Sequence, residues 1–257
     1  MAFPPPDPAF WDRILWLWKG LAPWDPIILF RDIFPVFIAI LCLYHSYKTF
    51  GWWKTTLFFV GSFLFTSLEE NVWILVGYFS GTPTYYFSPE QYYLWFGVCP
   101  LSVAIGWFFI SYSVVYIATK LFKNRGVLTR AAVGGLLAMN LDLMVDPIAV
   151  RNLWWAWPQA ETLATQQTTF WILGIPVTNF IGWFLLIFFF AILWEKVPPK
   201  EETWKRKKTT GVFFLYLAGL LGLTLLILVG AQILIAVLHV GGLNIGDPYF
   251  PIWWGGP

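Results

Sequence analysis

The sequence predicts an all-α fold, a polytopic membrane bundle of about six transmembrane helices with an N-terminal interfacial segment, on three observations. Of 257 residues, 58% are apolar and only 12% charged, too few polar groups to cover a water-facing surface. Six stretches are long and apolar enough to cross a bilayer. Basic residues collect in alternate short connections between those stretches, the pattern that orients multi-pass proteins.

The elements follow in order. Residues 1–26, rich in Pro and Trp (Trp11, Trp16, Trp18, Trp24), read as an entry segment lying at the membrane interface. This segment lacks the basic and apolar regions of a signal peptide and is read as part of the mature chain. Spans are predicted over 28–47, 55–79, 94–119, 131–150, 176–195 and 211–239. All are helical candidates, because hydrocarbon offers no partner for an unpaired backbone group. Pro100 and Pro176 lie near the starts of the third and fifth, and Asp142 and Asp146 interrupt the fourth. Residues 27–240 form the bundle and 241–257 a tail on the outer side, together one integral membrane domain, with no internal repeat or soluble domain evident.

Loop charge sets the orientation. His45, Lys48 and Lys54 join spans one and two; Lys120, Lys123, Arg125 and Arg130 join three and four; the run from Lys196 to Lys208 joins five and six. These connections are expected in the cytoplasm, with both termini on the non-cytoplasmic side of the cell membrane. Arg13, Lys19 and Arg31 dissent, offset by Asp7, Asp12, Asp25 and Asp32.

Composition also excludes functions. A net charge of +2, carried in short loops, gives no nucleic-acid surface. No metal or redox cofactor is expected: His45 and His239 fall at opposite faces, too few and too far apart for a di-iron centre, and no Gly-rich dinucleotide fingerprint occurs. Cys42 and Cys99 fall at opposite depths, which argues against a disulfide. Aromatic residues reach 21%, enough for interfacial belts and also for lining a cavity that holds a long apolar ligand.

The informative stretch is Asn140 to Trp157, N-L-D-L-M-V-D-P-I-A-V-R-N-L-W-W-A-W, where two acids interrupt a span. An acid within a membrane span is costly and marks a functional site by default. Counting from the cytoplasmic end at 1.5 Å per residue, Glu69 and Glu70 rise roughly 22 to 24 Å, and Asp142 and Asp146 roughly 18 and 24 Å. Asn179, Thr178, Arg31 and Asp32 reach the same outer-half layer from the opposite side. Asp142 and Asp146 are four apart and share a face; Glu69 and Glu70 diverge, so at most one of them, with Glu69 favoured, aims squarely at the same cavity. Pro147 frees the carbonyl of Leu143 beside Asp146. The plainer alternative makes the acids polar glue or pairs Asp146 with Arg151. Clustered acids in a low dielectric share protons, which sets a donor beside an acceptor.

At these residues the chain resembles the carotenoid biosynthesis membrane proteins, a family that includes bisanhydrobacterioruberin hydratase and bacterial carotenoid 1,2-hydratases. The resemblance rests on E-N-V-W at 70–73, G-T-P-T-Y-Y-F at 81–87, D-L-M-V-D-P with the following W-W-A-W, and G-I-P-V-T-N-F-I-G-W at 174–183, and covers about two thirds of the chain. It implies addition of water to a terminal isoprenoid double bond, with a carotenoid or other long isoprenoid as substrate. On that implication Asp142, Asp146, Glu69 and Glu70 supply acid and base, Asn179 orients, and Trp154, Trp155, Trp157 and Trp183 line the substrate. An interfacial belt is the plainer reading of at least two of those tryptophans.

Other readings stay open. Cyclisation shares the first protonation but loses a proton from carbon. A non-catalytic subunit that binds carotenoid or quinone beside a membrane-protein partner would carry the same aromatic load. A transporter's proton path is disfavoured, since two halves with matching broken helices are not visible.

Overall fold

The computed structural model describes residues 24–79, 84–152, 154–157, 170–237 and 244–245. Most of the entry segment, residues 81–83 of the second motif, His239 and the end of the tail lie outside the described residues. Six helices long and apolar enough to cross a membrane build the bundle: α1 (Pro26–Phe50), α2 (Trp52–Phe79), α3 (Leu101–Leu121), α4 (Val127–Arg151), α5 (Val177–Lys196) and α6 (Arg206–Val237).

Local chemistry sets the ends. Asp25 caps α1, its Oδ1 accepting from the amide of Ile27 at 2.7 Å, and Pro26 at the first helical position loses no needed donor. Gly51 ends α1 with φ 78° and donates its N–H to the carbonyl of Tyr47, so α2 follows without a linker. Ser46 and Thr55 hydrogen-bond across that corner at 3.0 Å.

α1 and α6, the flanking helices, are the least buried. Their exposed apolar residues, among them Phe30, Phe34 and Ile40 on α1 and Leu215, Leu226 and Leu234 on α6, form the lipid-facing surface. α4 and α5 form the most extensively packed helix pair. A Cβ at Gly135 would lie 2.8 Å from the carbonyl of Phe184, so that approach depends on glycine. At the end of the bundle where α1–α2, α3–α4 and α5–α6 connect, Arg130 clasps Glu195, and Lys54 and Arg206 both reach Glu201. Cys42 and Cys99 are both free thiols.

The opposite end is irregular, and one expectation fails there. The third span does not begin at 94: a two-residue hairpin, β2 (Trp95–Phe96) against β3 (Cys99–Pro100), occupies the start of that apolar run. A second hairpin, β5 (Trp171–Ile172) against β6 (Ile175–Pro176), precedes α5 in the same register, Trp171 opposite Pro176 as Trp95 is opposite Pro100. Pro100 and Pro176 then cap their helices with nearly identical backbones, φ −60° and ψ 139° against φ −62° and ψ 137°. β5 also pairs in parallel with β7 (Asn244–Ile245).

These matches overturn the expectation that the chain has no internal repeat. Residues 95–108, W-F-G-V-C-P-L-S-V-A-I-G-W-F, align without gaps on 171–184, W-I-L-G-I-P-V-T-N-F-I-G-W-F. At the same offset Glu70 of α2 falls on Asp146 of α4, and Asn71 on Pro147. The repeated unit is helix, hairpin, helix: α2 with α3, then α4 with α5. Between helix and hairpin each unit carries a short strand, β1 (Tyr86–Phe87) and β4 (Trp155–Ala156), which pair antiparallel with one another. That pairing joins the two halves, although the two strands are not equivalent positions of the alignment.

The halves differ where their hairpins are clamped. Asn71 donates to the carbonyl of Phe96 at 3.0 Å and accepts from the amide of Val98 at 2.7 Å. Gly97 turns there with φ 65°, and a Cβ on it would fall 2.1 Å from Asn71 Oδ1. The equivalent of Asn71 is Pro147, which cannot form this clamp, and the equivalent turn residue is Leu173 at φ 53°.

Candidate active site

Acids from both halves of the repeat line one cavity. Glu69 and Glu70 on α2 and Asp142 and Asp146 on α4 are all buried, at 6%, 8%, 0% and 2% relative exposure. A buried carboxyl must find donors or share a proton. Asn179, on the first turn of α5, supplies one side chain for two acids: its Nδ2 donates to Asp142 Oδ2 at 2.9 Å and to Asp146 Oδ2 at 2.6 Å. Across the layer the indole N–H of Trp107 donates to Glu70 Oε1 at 2.9 Å. Glu70 Oε2 and Asp142 Oδ1 have no hydrogen-bond partner among the described residues.

Two cavities meet here. The first, about 290 Å³, lies between α2 and α5 under α6, lined by Glu69, Glu70, Thr178, Asn179 and Gln232 with apolar neighbours. The second, about 170 Å³, lies between α3 and α4 under α1 and takes in Arg31, Glu70, Asp146, Trp154 and Trp155. Glu70, Tyr85, Trp107, Trp157, Asn179 and Trp183 line both. Trp107 and Trp183, equivalent in the repeat, meet between them with ring centroids 4.3 Å apart.

The predicted site residues separate by role. Asp146, Glu70 and Asn179 reach cavity space, whereas Asp142 lines neither cavity and touches the site through Asn179. Glu69 lines only the first cavity, so the acid that faces both is Glu70, not the favoured Glu69. Trp154, Trp155, Trp157 and Trp183 are half-buried or buried cavity walls rather than an outward belt. Asp146 bonds to Asn179, and Arg151 is exposed. Asp32 shares the layer but is spent on structure: it accepts from the amide of Tyr93 at 2.8 Å and from Ser102 at 2.9 Å, tying the segment after β1 to α1.

Sequence reading missed Trp107 and did not single out Tyr85. The signal for Trp107 is present in the sequence: it stands in the first copy of I-G-W-F, and Trp183 holds the same place in the second. Arg31, which the sequence puts in this layer, packs against aromatic rings. Its guanidinium lies over the rings of Tyr92 and Trp154 at 4.6 and 5.1 Å, and Nη1 donates to Gln91 at 3.0 Å. The arrangement puts several carboxyls, two of them under one amide, against aromatic faces. It can move protons to and from an apolar ligand and stabilise positive charge on carbon.

A family model described as carotenoid biosynthesis protein matches residues 30–246, which takes in α1 from its second turn, all of α2–α6 and every residue of the site. Neither curated proteins nor solved structures give a match to the chain.

Proposed function

The chain belongs to the carotenoid biosynthesis protein family, and from that premise we propose that it adds water across a terminal carbon–carbon double bond of an acyclic carotenoid within the membrane. The observation that carries this reading is that Glu70 and Asp146 line one aromatic cavity while Asn179 holds Asp142 and Asp146 together.

Asp142 and Asp146, side by side under one amide, hold a proton between them. Asp146, the member that reaches the cavity, passes that proton to the less substituted alkene carbon, and the π pair becomes the new C–H bond. The tertiary cation left behind faces Trp107, Trp183 and Trp157, whose ring faces stabilise it. Glu70, oriented through Oε1 by the Trp107 N–H, binds water with Oε2, which has no hydrogen-bond partner among the described residues. The water oxygen bonds to the cation as Glu70 takes its proton, which returns to the aspartate pair to complete the cycle. One water is consumed, and no redox equivalent is needed.

The test is expression in a host that makes acyclic carotenoids, followed by mass spectrometry of the pigments. A product heavier by one water is expected. Unchanged mass with a new ring would replace hydration with cyclisation, and unchanged pigment bound to a stoichiometric partner would make the chain a carotenoid-binding subunit.

A further inference from the structure

A third cavity lies at the other end of the bundle, where α1 turns into α2 and where α3 and α5 end. At about 480 Å³ it is larger than either cavity beside the acids. Lys54 on its rim and Glu69 in the acid layer are separated by roughly 22 Å along α2, so it is a separate site. Its floor is apolar. Phe58, Tyr112, Val115 and Trp194 are buried there, and Phe58 meets the rings of Tyr112 and Trp194 edge-on, with centroids 5.6 and 4.7 Å apart. Its rim carries Lys54, Lys120, Lys123 and Glu195. Arg130 already clasps Glu195, and Lys54 reaches Glu201 only at 3.8 Å. Lys120 lies over the Tyr116 ring at 5.4 Å, and neither it nor Lys123 has an ion-pair partner among the described residues. The rim therefore holds positive charge that no carboxylate among the described residues answers.

Basic residues at one end suit any multi-pass protein, and Lys205, Lys207 and Lys208 belong to the same set of connections. Lys54, Lys120 and Lys123 differ because they converge on a cavity floored with aromatic rings. A free anion gains nothing from those rings, and a purely apolar molecule gains nothing from the lysines. A ligand with an anionic head and an apolar body uses both. We propose that this cavity binds an anionic phospholipid, its phosphate at Lys54, Lys120 and Lys123 and the start of its chains against Phe58, Tyr112 and Trp194. Ammonium groups serve a phosphate as point charges, and each basic residue near an anionic headgroup strengthens the attraction about fivefold. Bound there, the lipid bridges α2, α3 and α5 and stabilises the folded bundle, since it binds the native state alone.

The experiment titrates the full-length protein in neutral detergent with phosphatidylglycerol, phosphatidylcholine or inorganic phosphate. Thermal unfolding reads stability, and native mass spectrometry counts lipid retained. Phosphatidylglycerol should raise the unfolding temperature saturably and stay bound at one per chain, with little effect from the other two. The double variant Lys120→Gln, Lys123→Gln should weaken that binding about tenfold or more. The double variant Lys207→Gln, Lys208→Gln removes the same charge from residues that do not line the cavity and should bind as wild type does. Equal losses in the two double variants would reduce the effect to general surface attraction and overturn the site, as would the absence of saturable phosphatidylglycerol binding. Protection by inorganic phosphate equal to that by phosphatidylglycerol would overturn the lipid in favour of a free anion. Should the first double variant elute as aggregate, Lys120→Gln and Lys123→Gln are made singly, and wild-type affinity in both would overturn the site.

Discussion

Trp107 and Trp183 occupy the same position in two copies of one sequence motif and meet ring against ring, centroids 4.3 Å apart, at the boundary of the two cavities. Their equivalence ends at their polar edges. Trp107 donates to Glu70, whereas the Asn179 amide, not Trp183, serves the aspartates of the second half. The duplicated scaffold therefore carries two different devices for holding a carboxyl.

Trp107→Phe keeps an aromatic face but removes the donor to Glu70. Turnover should fall about tenfold or more, since general-base catalysis contributes two to four powers of ten and depends on the base's orientation. Trp183→Phe should cost less, because the ring face is retained and Glu70 keeps its donor. Pigment production by the two variants at matched protein levels checks the order.

Asn179→Leu leaves two buried carboxyls without their shared donor. It should lower stability by about 1–3 kcal/mol and abolish turnover, while Asn179→Gln, which keeps the amide but displaces it, should lose turnover with less effect on stability. Thermal unfolding in detergent, followed by size-exclusion fluorescence, separates the two effects.

Gly97→Ala should destabilise the first hairpin by about 1–3 kcal/mol, from positive φ and from the clash with Asn71. In an Asn71→Ala background the clash is gone and only the φ cost remains, about 1 kcal/mol. The double-mutant cycle should therefore show coupling between the two positions. Additive effects would mean the clamp does not impose glycine there.

The six spans and the depth of the acids were legible because hydropathy and rise per residue are properties of single helices. The hairpin before α3 was not. Trp95, Phe96, Val98 and Cys99 are as apolar as the helix they precede, so the run from 94 to 119 reads as one span, and only Gly97 marks the turn. Likewise the 3.6-residue period said that Glu69 and Glu70 diverge, but which of them faces both cavities depends on how α2 is rotated against α3 and α5. The repeat was legible in principle, since P-x-[S/T]-x-x-I-G-W-F stands twice in the chain. It escapes a reading that takes each span on its own merits, because identity fades in the first helices, where Asn71 gives way to Pro147 and Thr66 to Asp142.

The central claim, addition of water by a proton relay at Glu70 and Asp146, is tested most directly by the mass of the carotenoids made in a producing host by wild-type protein, Glu70→Gln and Asp146→Asn. Wild type should yield a product heavier by one water, and the two variants should accumulate unmodified substrate at equal levels of folded membrane protein. Hydrated product at wild-type levels from either variant, or none from the wild type with any acyclic carotenoid, would contradict it.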